Sequence, residues 1–275
     1  MKHPISVRLP FCDPIEFQMD FDGNCPTDQI TVHFLNRSGG MCEPEVCHFM
    51  ARAVGPGDLV VDVGANIGFF TLLLARLVGE TGKVIAFEPS PQNIPKLETN
   101  IAINGFKQVD QSRLALWSSP TEVELWLAND GGMSSFGRSA WSMGKTVVPT
   151  TTLARIFQEP PFPRLIKMDA EGAEYNILLG AGNMLRPGSV PYVICEFNED
   201  ALKRLKASSA DIRRYMGARG YDLFMLHADG HLPTLLPSGT RLVSHAPNLN
   251  VLFSTLSAVS AAYPEVVVQY VPDRS

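Results

Sequence analysis

The chain has 275 residues, 45% apolar and 19% charged, with 28 acidic against 23 basic side chains and a formal charge of −5. That length can bury a sizeable core as one large domain or a domain with an extension, and the composition is that of an ordinary globular protein. The acidic balance argues against the basic footprint that nucleic-acid backbones require. The cationic run Lys203, Arg204, Lys206, Arg213 and Arg214 recurs at helical spacing beside Leu202, Leu205 and Ile212, and reads as a solvated helix face. Five cysteines, odd in number and without a Cys-x-x-Cys pair, signal neither a disulfide framework nor a thiolate zinc site. The start "MKHPISVRLPFCDP" has no unbroken apolar core of the signal-peptide kind, and no run reaches membrane-spanning length without a charge or a glycine. The expectation is a cytoplasmic protein with neither a nucleic-acid nor a membrane partner.

Up to Gly40, short apolar runs mix with Pro, Asp, Gly and Asn, predicting a few edge strands and turns. From Glu43 the pattern becomes regular. Val46, Phe49, Met50 and Val54 fall at helical spacing, and "GPGD" stops that helix before a strand at Leu59 to Val63. A second strand is predicted at Lys83 to Phe87, then a helix from Pro91 to Asn104 that buries Ile94, Leu97 and Ile101. Further strands are predicted at Val109 to Trp117, Arg164 to Met168 and Tyr192 to Phe197. Between the third and fourth, "EVELWLAND" alternates like a surface strand, "GGMSSFGRSAWSMGK" reads as a loop, and "TVVPTTTLARIF" gives a strand and a short helix. After Asp211 a helix leads to "YDLFMLH" and "LNVLFS", a hairpin-like pair. Alternation of strand and helix is the signature of a parallel sheet covered on both faces.

In "DLVVDVGANIGFFTLLLARL", Asp58 to Leu77, an apolar strand passes through two glycines into an apolar helix. Such a turn aims backbone N–H groups and the helix dipole at the crevice where parallel sheets bind ligands. Gly64 and Gly68 allow close backbone approach. A dinucleotide fingerprint wants Gly-x-Gly-x-x-Gly, whereas Asn66 holds the middle position and Phe69 or its neighbour the last, which weakens the pyrophosphate reading. Asp62, two residues before Gly64, can take up the ammonium of an amino-acid ligand directly or through water. Glu88 ends the second strand, 88 − 68 = 20 residues beyond Gly68, where an acidic side chain accepts both hydroxyls of a ribose. A ribose clamp with an ammonium clamp and no phosphate cradle describes S-adenosylmethionine better than a dinucleotide; the competing explanation is that both acids merely cap helices.

A second constellation is "LIKMDAEGAEYNILLGAG", in which Asp169 follows an apolar strand and Glu171, Gly172 and Glu174 open a helix. Capping accounts for Asp169 but leaves Lys167, alternating with it along the strand, unexplained. A carboxylate at this edge can orient a substrate hydroxyl or accept its proton. In "VICEFNED", Glu196 and Asn198 end the next strand beside the same crevice and are read as substrate contacts. Asp169, Glu196 and Asn198 could together hold one hard cation, but single carboxylates at strand ends are more often substrate contacts or caps, so no metal is expected. His48, His227 and His245 are rival bases, although none adjoins a glycine turn or another acid. Gly131, Gly132, Ser134 and Ser135 read as a turn between strands or as acceptor contacts.

The stretches "EPEVCHFMARAVGPGDLVVDVGANIGFFTLLLA", "VIAFEPSPQNIPKLETNIAING", "TTLARIF", "LIKMDAEGAEYNILLGA" and "NVLF" resemble the successive motifs of the FkbM-type methyltransferases, from about Glu43 to Phe253. The resemblance implies an α/β, Rossmann-like three-layer sandwich whose mostly parallel sheet has seven strands, one of them antiparallel. It implies S-adenosylmethionine as cofactor and O-methylation of a hydroxyl on a sugar, polysaccharide or secondary metabolite. Carried onto this chain, it assigns the methionine portion to the turn of Asp62, Gly64, Ala65, Asn66, Gly68 and Phe69, with Asp169 beside it. The ribose falls to Glu88, Pro89 and Ser90, and the adenine to the end of the third strand around Leu116. The family's paired acids map onto Asp169 and Glu171, the candidate catalytic groups. The expected organisation is an N-terminal extension with short strands over 1–42, the methyltransferase domain over 43–256 and a C-terminal extension over 257–275. Exposed apolar residues on edge strands could support a homodimer. Two other classes compete: a nicotinamide-dependent oxidoreductase, disfavoured by the missing middle glycine, and a non-catalytic binding module, which would be expected to have degraded the turn or Glu88.

Overall fold

A computed structural model describes residues 2–128, 134–140, 142–240, 242 and 248–266. Gly131, Gly132, His245 and residues 267–275 of the expected C-terminal extension lie outside the described residues.

Strands Lys2–Val7 (β1) and Ile15–Asp20 (β2) pair antiparallel, as the mixed apolar pattern predicts. A helix then spans Pro26–Arg37 (α1), where only strands and turns were expected. Its pattern is mixed: Asp28 and Leu35 are buried while Ile30 and Phe34 are 56% and 64% exposed, so no clean apolar face announces it. Helix Pro44–Ala53 (α2) leads into Leu59–Val63 (β3), Phe69–Val78 (α3), Lys83–Phe87 (β4) and Ile94–Asn104 (α4), close to the expected boundaries.

The third predicted strand divides into Val109–Ser112 (β5) and Ala115–Leu116 (β6). At the division Leu114 N–H bonds the Ser112 hydroxyl at 3.3 Å, and the chain leaves the main sheet to run beside a ribbon of Glu122–Ala128 (β7) and Ser142–Thr151 (β8). The ribbon begins its return at Ser142, inside the stretch expected to be loop, because cross-strand pairs as far as Ala128 and Ser142 carry the ladder outward. Helix Leu153–Ile156 (α5), strand Leu165–Met168 (β9) and helix Glu174–Leu179 (α6) follow. Then come Tyr192–Phe197 (β10), Glu199–Arg204 (α7), Ser209–Gly217 (α8), Asp222–Met225 (β11), Thr234–Leu236 (β12), Leu249–Ser254 (β13) and Leu256–Ala262 (α9).

The main sheet runs β12-β11-β13-β10-β9-β3-β4-β5. β10, β9, β3, β4 and β5 are mutually parallel, and β13 lies antiparallel between β10 and β11. This is the expected seven-stranded sheet with one antiparallel member, extended by the short β12 as an eighth strand, which the sequence reading did not foresee. From β3 the chain first builds β4 and β5 on one side and only later β9 and β10 on the other. Such a reversal opens a crevice above the carboxyl ends of β3 and β9.

Successive strand residues face opposite layers. Val60 joins Phe49, Met50 and Leu72 to Leu74 on one face, and Val61 joins Ile166, Leu178, Leu202 and Ile212 on the other. Helix α3 is apolar nearly all round because the sheet covers one side and the β1–β2 hairpin another, with Phe17 edge-on to Phe69 at 5.6 Å between centroids. The hairpin is further tied to α4: Asn104 and Asn100 side chains accept from Gln18 and Asp20 N–H groups at 2.8 and 2.6 Å. The N-terminal segment therefore packs on the domain as an integral layer.

Candidate functional site

The turn after β3 and the loop after β9 touch. Val63 pairs with Met168, and the next residue on each side is Gly64 or Asp169. Gly64 sits at φ +77°, and a Cβ there would lie 1.7 Å from the Asp169 carbonyl oxygen, so only glycine fits. Gly64 and Ala65 N–H groups both bond the Phe87 carbonyl at 3.0 Å, docking the turn on the end of β4. Asn66 takes φ +51° and donates its N–H to Glu88 Oε2 at 2.7 Å, while Ser90 N–H reaches Glu88 Oε1 at 2.8 Å. Burial pushes the Glu88 carboxyl up to about 7, against the pull of those two N–H groups.

Asp62 lies behind the turn. It is fully buried and accepts from the Thr71 hydroxyl at 2.6 Å, and its Oδ1 has no hydrogen-bond partner among the described residues. It lines neither of the two clefts described below, so the direct ammonium contact read from the sequence is not what this position offers; reach through a water is left to that free oxygen.

The acid loop is shaped by Glu174, whose Oε1 accepts from Ala170 and Gly172 N–H groups at 2.8 and 3.3 Å. Glu171 and Gly172 have φ +50° and +103°, so they form a left-handed turn, and the helix opens at Glu174 instead of at Glu171. Asp169 accepts from the Lys167 ammonium at 3.1 Å. Lys167 is 2% exposed and lies 4.4 Å from the Phe70 ring centroid. Burial alone would lower its pKa, but Asp169, Glu43 and Asp62 outweigh that and hold it charged. Burial, with Asp169 and Glu174 adding repulsion, pushes the Glu171 carboxyl up to about 7.

Two clefts meet here. The first, about 660 Å³, has the polar edge Gly64, Asn66, Glu88, Asp169 and Glu171 and apolar walls of Phe87, Pro89, Leu116, Leu125, Phe136 and Ile177. The second, about 720 Å³, is lined by Cys42, Glu43, Lys167 and Asp169, by Ala65, Asn66, Gly68 and Phe69 on the turn, and by Asp28 and Thr31 of α1. Gly64, Asn66, Asn93 and Asp169 belong to both.

Of the residues singled out in the sequence, Ser90 is buried beneath the first cleft and serves it through Glu88. Glu196, 4% exposed, lies against Asp169 and Glu43, each offering a carboxylate oxygen within 4.8 Å of the others. Asn198 does not join them. Its Oδ1 caps α7 by accepting from Ala201 N–H at 3.0 Å and its Nδ2 donates to Asn248, so its amide is spent on local structure, which corrects its assignment to substrate. His48 is buried against Phe11, and His227 bonds the Thr234 hydroxyl at 2.8 Å; neither lines a cleft. Ser134 lines the first cleft and Ser135 is a bridge partner of Trp126. Glu43, Asn93 and the wall from α1 were missed. Glu43 stands immediately before a Pro at a helix start, a position that usually means only a cap.

A glycine turn, an acid ending the next strand and a reversed parallel sheet define a Rossmann-like methyltransferase that uses S-adenosylmethionine. The chain belongs to the FkbM methyltransferase family: the profile of the Methyltransferase FkbM domain matches residues 62–223. Methyltransferase 1 of Beauveria bassiana is 25% identical over 178 residues, 56% of this chain and 69% of that protein. The hexuronic acid methyltransferase AglP of Haloferax volcanii is 28% identical over 159 residues, 57% of this chain and 62% of that protein. An rRNA methylase structure from Streptococcus thermophilus aligns with a TM-score of 0.44 at 15% identity, covering 78% of this chain and 98% of that one.

Proposed function

We propose that the protein methylates a hydroxyl of a small-molecule or carbohydrate acceptor, with the donor in the first cleft and the acceptor in the second. The observation that carries this reading is that Asp169 lines both clefts, so a group bound in either meets the other at its carboxylate. The hexuronic acid methyltransferase among the relatives supports a carbohydrate acceptor.

The residues fit the donor. Glu88 presents a buried carboxylate at the strand end, the glycine turn lets backbone approach, and the apolar walls suit a flat purine. Bound there, S-adenosylmethionine supplies a methyl group on a cationic sulfur, an electrophile with a good leaving group. The protein's own task is alignment of the acceptor oxygen and removal of its proton. Asp169, on both clefts and fixed by Lys167, orients the hydroxyl at their junction, and Glu171, two residues along the same loop with its carboxyl pushed up to about 7, takes the proton there. Its five cysteines are all free, which suits a reducing compartment, and we place the protein in the cytoplasm. No described helix is long and apolar enough to cross a membrane. The exposed Leu235 on edge strand β12 gives self-association a surface.

Calorimetric titration with S-adenosylhomocysteine, with NAD in a parallel cell, tests the donor half. Methyl incorporation across a panel of hydroxylated sugars tests the acceptor half. Binding of NAD in place of the thioether would overturn the reading, and methylation confined to amines or thiols would overturn its acceptor half.

A further inference from the structure

Glu43, Asp169 and Glu196 come from three separate places in the chain: the start of α2, the end of β9 and the interior of β10. One carboxylate oxygen from each lies within 4.8 Å of the other two. Hard divalent cations sit about 2.0–2.6 Å from oxygen ligands, so ligand oxygens around one ion are separated by at most roughly twice that. A span of 4.8 Å falls inside that limit for the larger ions of this class, and closing the three carboxylates on Mg²⁺, at about 2.0–2.1 Å, takes a movement of roughly half an ångström.

A second observation points to a ligand. Glu196 is 4% exposed, and its Oε2 has no hydrogen-bond partner among the described residues, although a buried acceptor without a partner is costly. The other two carboxylates are held from outside. Asn250 donates to Glu43 Oε2 at 3.1 Å and to Glu45 Oε1 at 2.9 Å, and Lys167 donates to Asp169 Oδ2. Each held carboxylate keeps a second oxygen, the arrangement in which outer groups orient metal ligands. Lys167 supplies one positive charge against these three acids and Asp62. Burial first, then Asp169, Glu171 and Glu43, push the Glu196 carboxyl upward, the mark of acids crowded together that a cation between them would relieve.

We propose that Glu43, Asp169 and Glu196 form a binding site for one hard divalent cation, Mg²⁺ or Mn²⁺, at the edge of the acceptor cleft, which Glu43 and Asp169 line. Three protein ligands leave coordination positions for water and for an acceptor oxygen, whose proton the ion makes easier to remove. This last role rests on the function proposed above; the site itself does not. An all-oxygen, carboxylate-rich set favours hard cations over the softer metals that prefer thiolate or imidazole.

The test uses the full chain and Mn²⁺ alone, with the free ion followed by its electron paramagnetic resonance signal. One Mn²⁺ per chain is expected, displaced by excess Mg²⁺. Glu43→Gln and Glu196→Gln should each weaken binding by about tenfold or more, judged against the 10–100-fold that even outer-shell changes cost. Glu196→Gln keeps the shape of a side chain whose Oε2 bonds nothing among the described residues, so it serves if Glu43→Gln fails to fold. No stoichiometric Mn²⁺ binding by the wild type, or binding that both variants leave unchanged, overturns the proposal. S-adenosylhomocysteine titrated into the same samples separates the failures: thioether binding without Mn²⁺ binding removes the metal site alone, and Mn²⁺ binding without thioether binding removes the methyl-transfer reading alone.

Discussion

Replacing Glu88 by Gln isolates the donor site. The carboxylate accepts backbone N–H groups from Asn66 and Ser90, and its pKa is held at about 7. If the ribose hydroxyls need the ionised form, about a tenth of molecules are competent at pH 6 and about nine tenths at pH 8. Affinity then rises about tenfold across that interval. Gln keeps one acceptor oxygen and loses one charge-assisted bond, worth about 1.5–3 kcal/mol, so binding at pH 8 should weaken about ten- to hundredfold. Stability should change little. A raised carboxyl pKa leaves the folded state most stable below the ordinary value of 4.5; that stability is lost as pH rises to and through about 7, and the full loss, roughly 3 kcal/mol by pH 8, is the cost of ionising the buried group. Gln removes this cost but turns an amide NH₂ toward one backbone N–H, at about 1–3 kcal/mol. Calorimetry with S-adenosylhomocysteine at pH 6, 7 and 8, alongside thermal melts, reads both quantities. Unchanged affinity in the variant, or a pH slope retained in full, would refute the assignment.

Three further outcomes are expected. Asp169→Asn should lower kcat by about a hundredfold, the loss expected from roughly 1 Å of misplacement, while thioether affinity stays nearly intact; unchanged turnover would remove Asp169 from the reaction. Glu171→Gln should cost about 10²–10⁴-fold in rate and abolish the rise of kcat with pH through about 7 that ionisation of Glu171 imposes on the wild type, read from pH–rate profiles. Gly64→Ala places a Cβ 1.7 Å from the Asp169 carbonyl oxygen at a left-handed φ, and should destabilise by about 2–4 kcal/mol and abolish thioether binding, measured by denaturant titration and calorimetry.

The parallel strands were legible because both their faces are buried, so β3, β9 and β10 read as apolar runs each interrupted by a single charge, Asp62, Lys167 or Glu196. The glycine turn and Glu88 were legible because their spacing is set locally, by one strand, one turn and the next strand. Helix α1 was not, since it buries the charged Asp28, held by Lys96 at 2.9 Å from another helix, along with Leu35, while Ile30 and Phe34 face outward. Glu43 escaped for a related reason: nothing near it in sequence distinguishes a helix-start acid that caps from one that tertiary packing carries to Asp169 and Glu196. Asn198 misled in the opposite direction, because a carboxamide after a strand looks the same whether it meets a substrate or caps the next helix.

The contact between Gly64 and the Asp169 carbonyl also bears on how such a protein diversifies. The two loops meet main chain to main chain, with no room for a Cβ on Gly64 and with Asp169 N–H bonded to the Val63 carbonyl at 3.0 Å, so a shift of one displaces the other. The walls contributed by α1 and by the β7–β8 ribbon reach the clefts through side chains such as Thr31, Leu125 and Phe136, which can be exchanged one at a time. A library aimed at new acceptors should therefore vary those two walls and hold the Gly64–Asp169 seam constant.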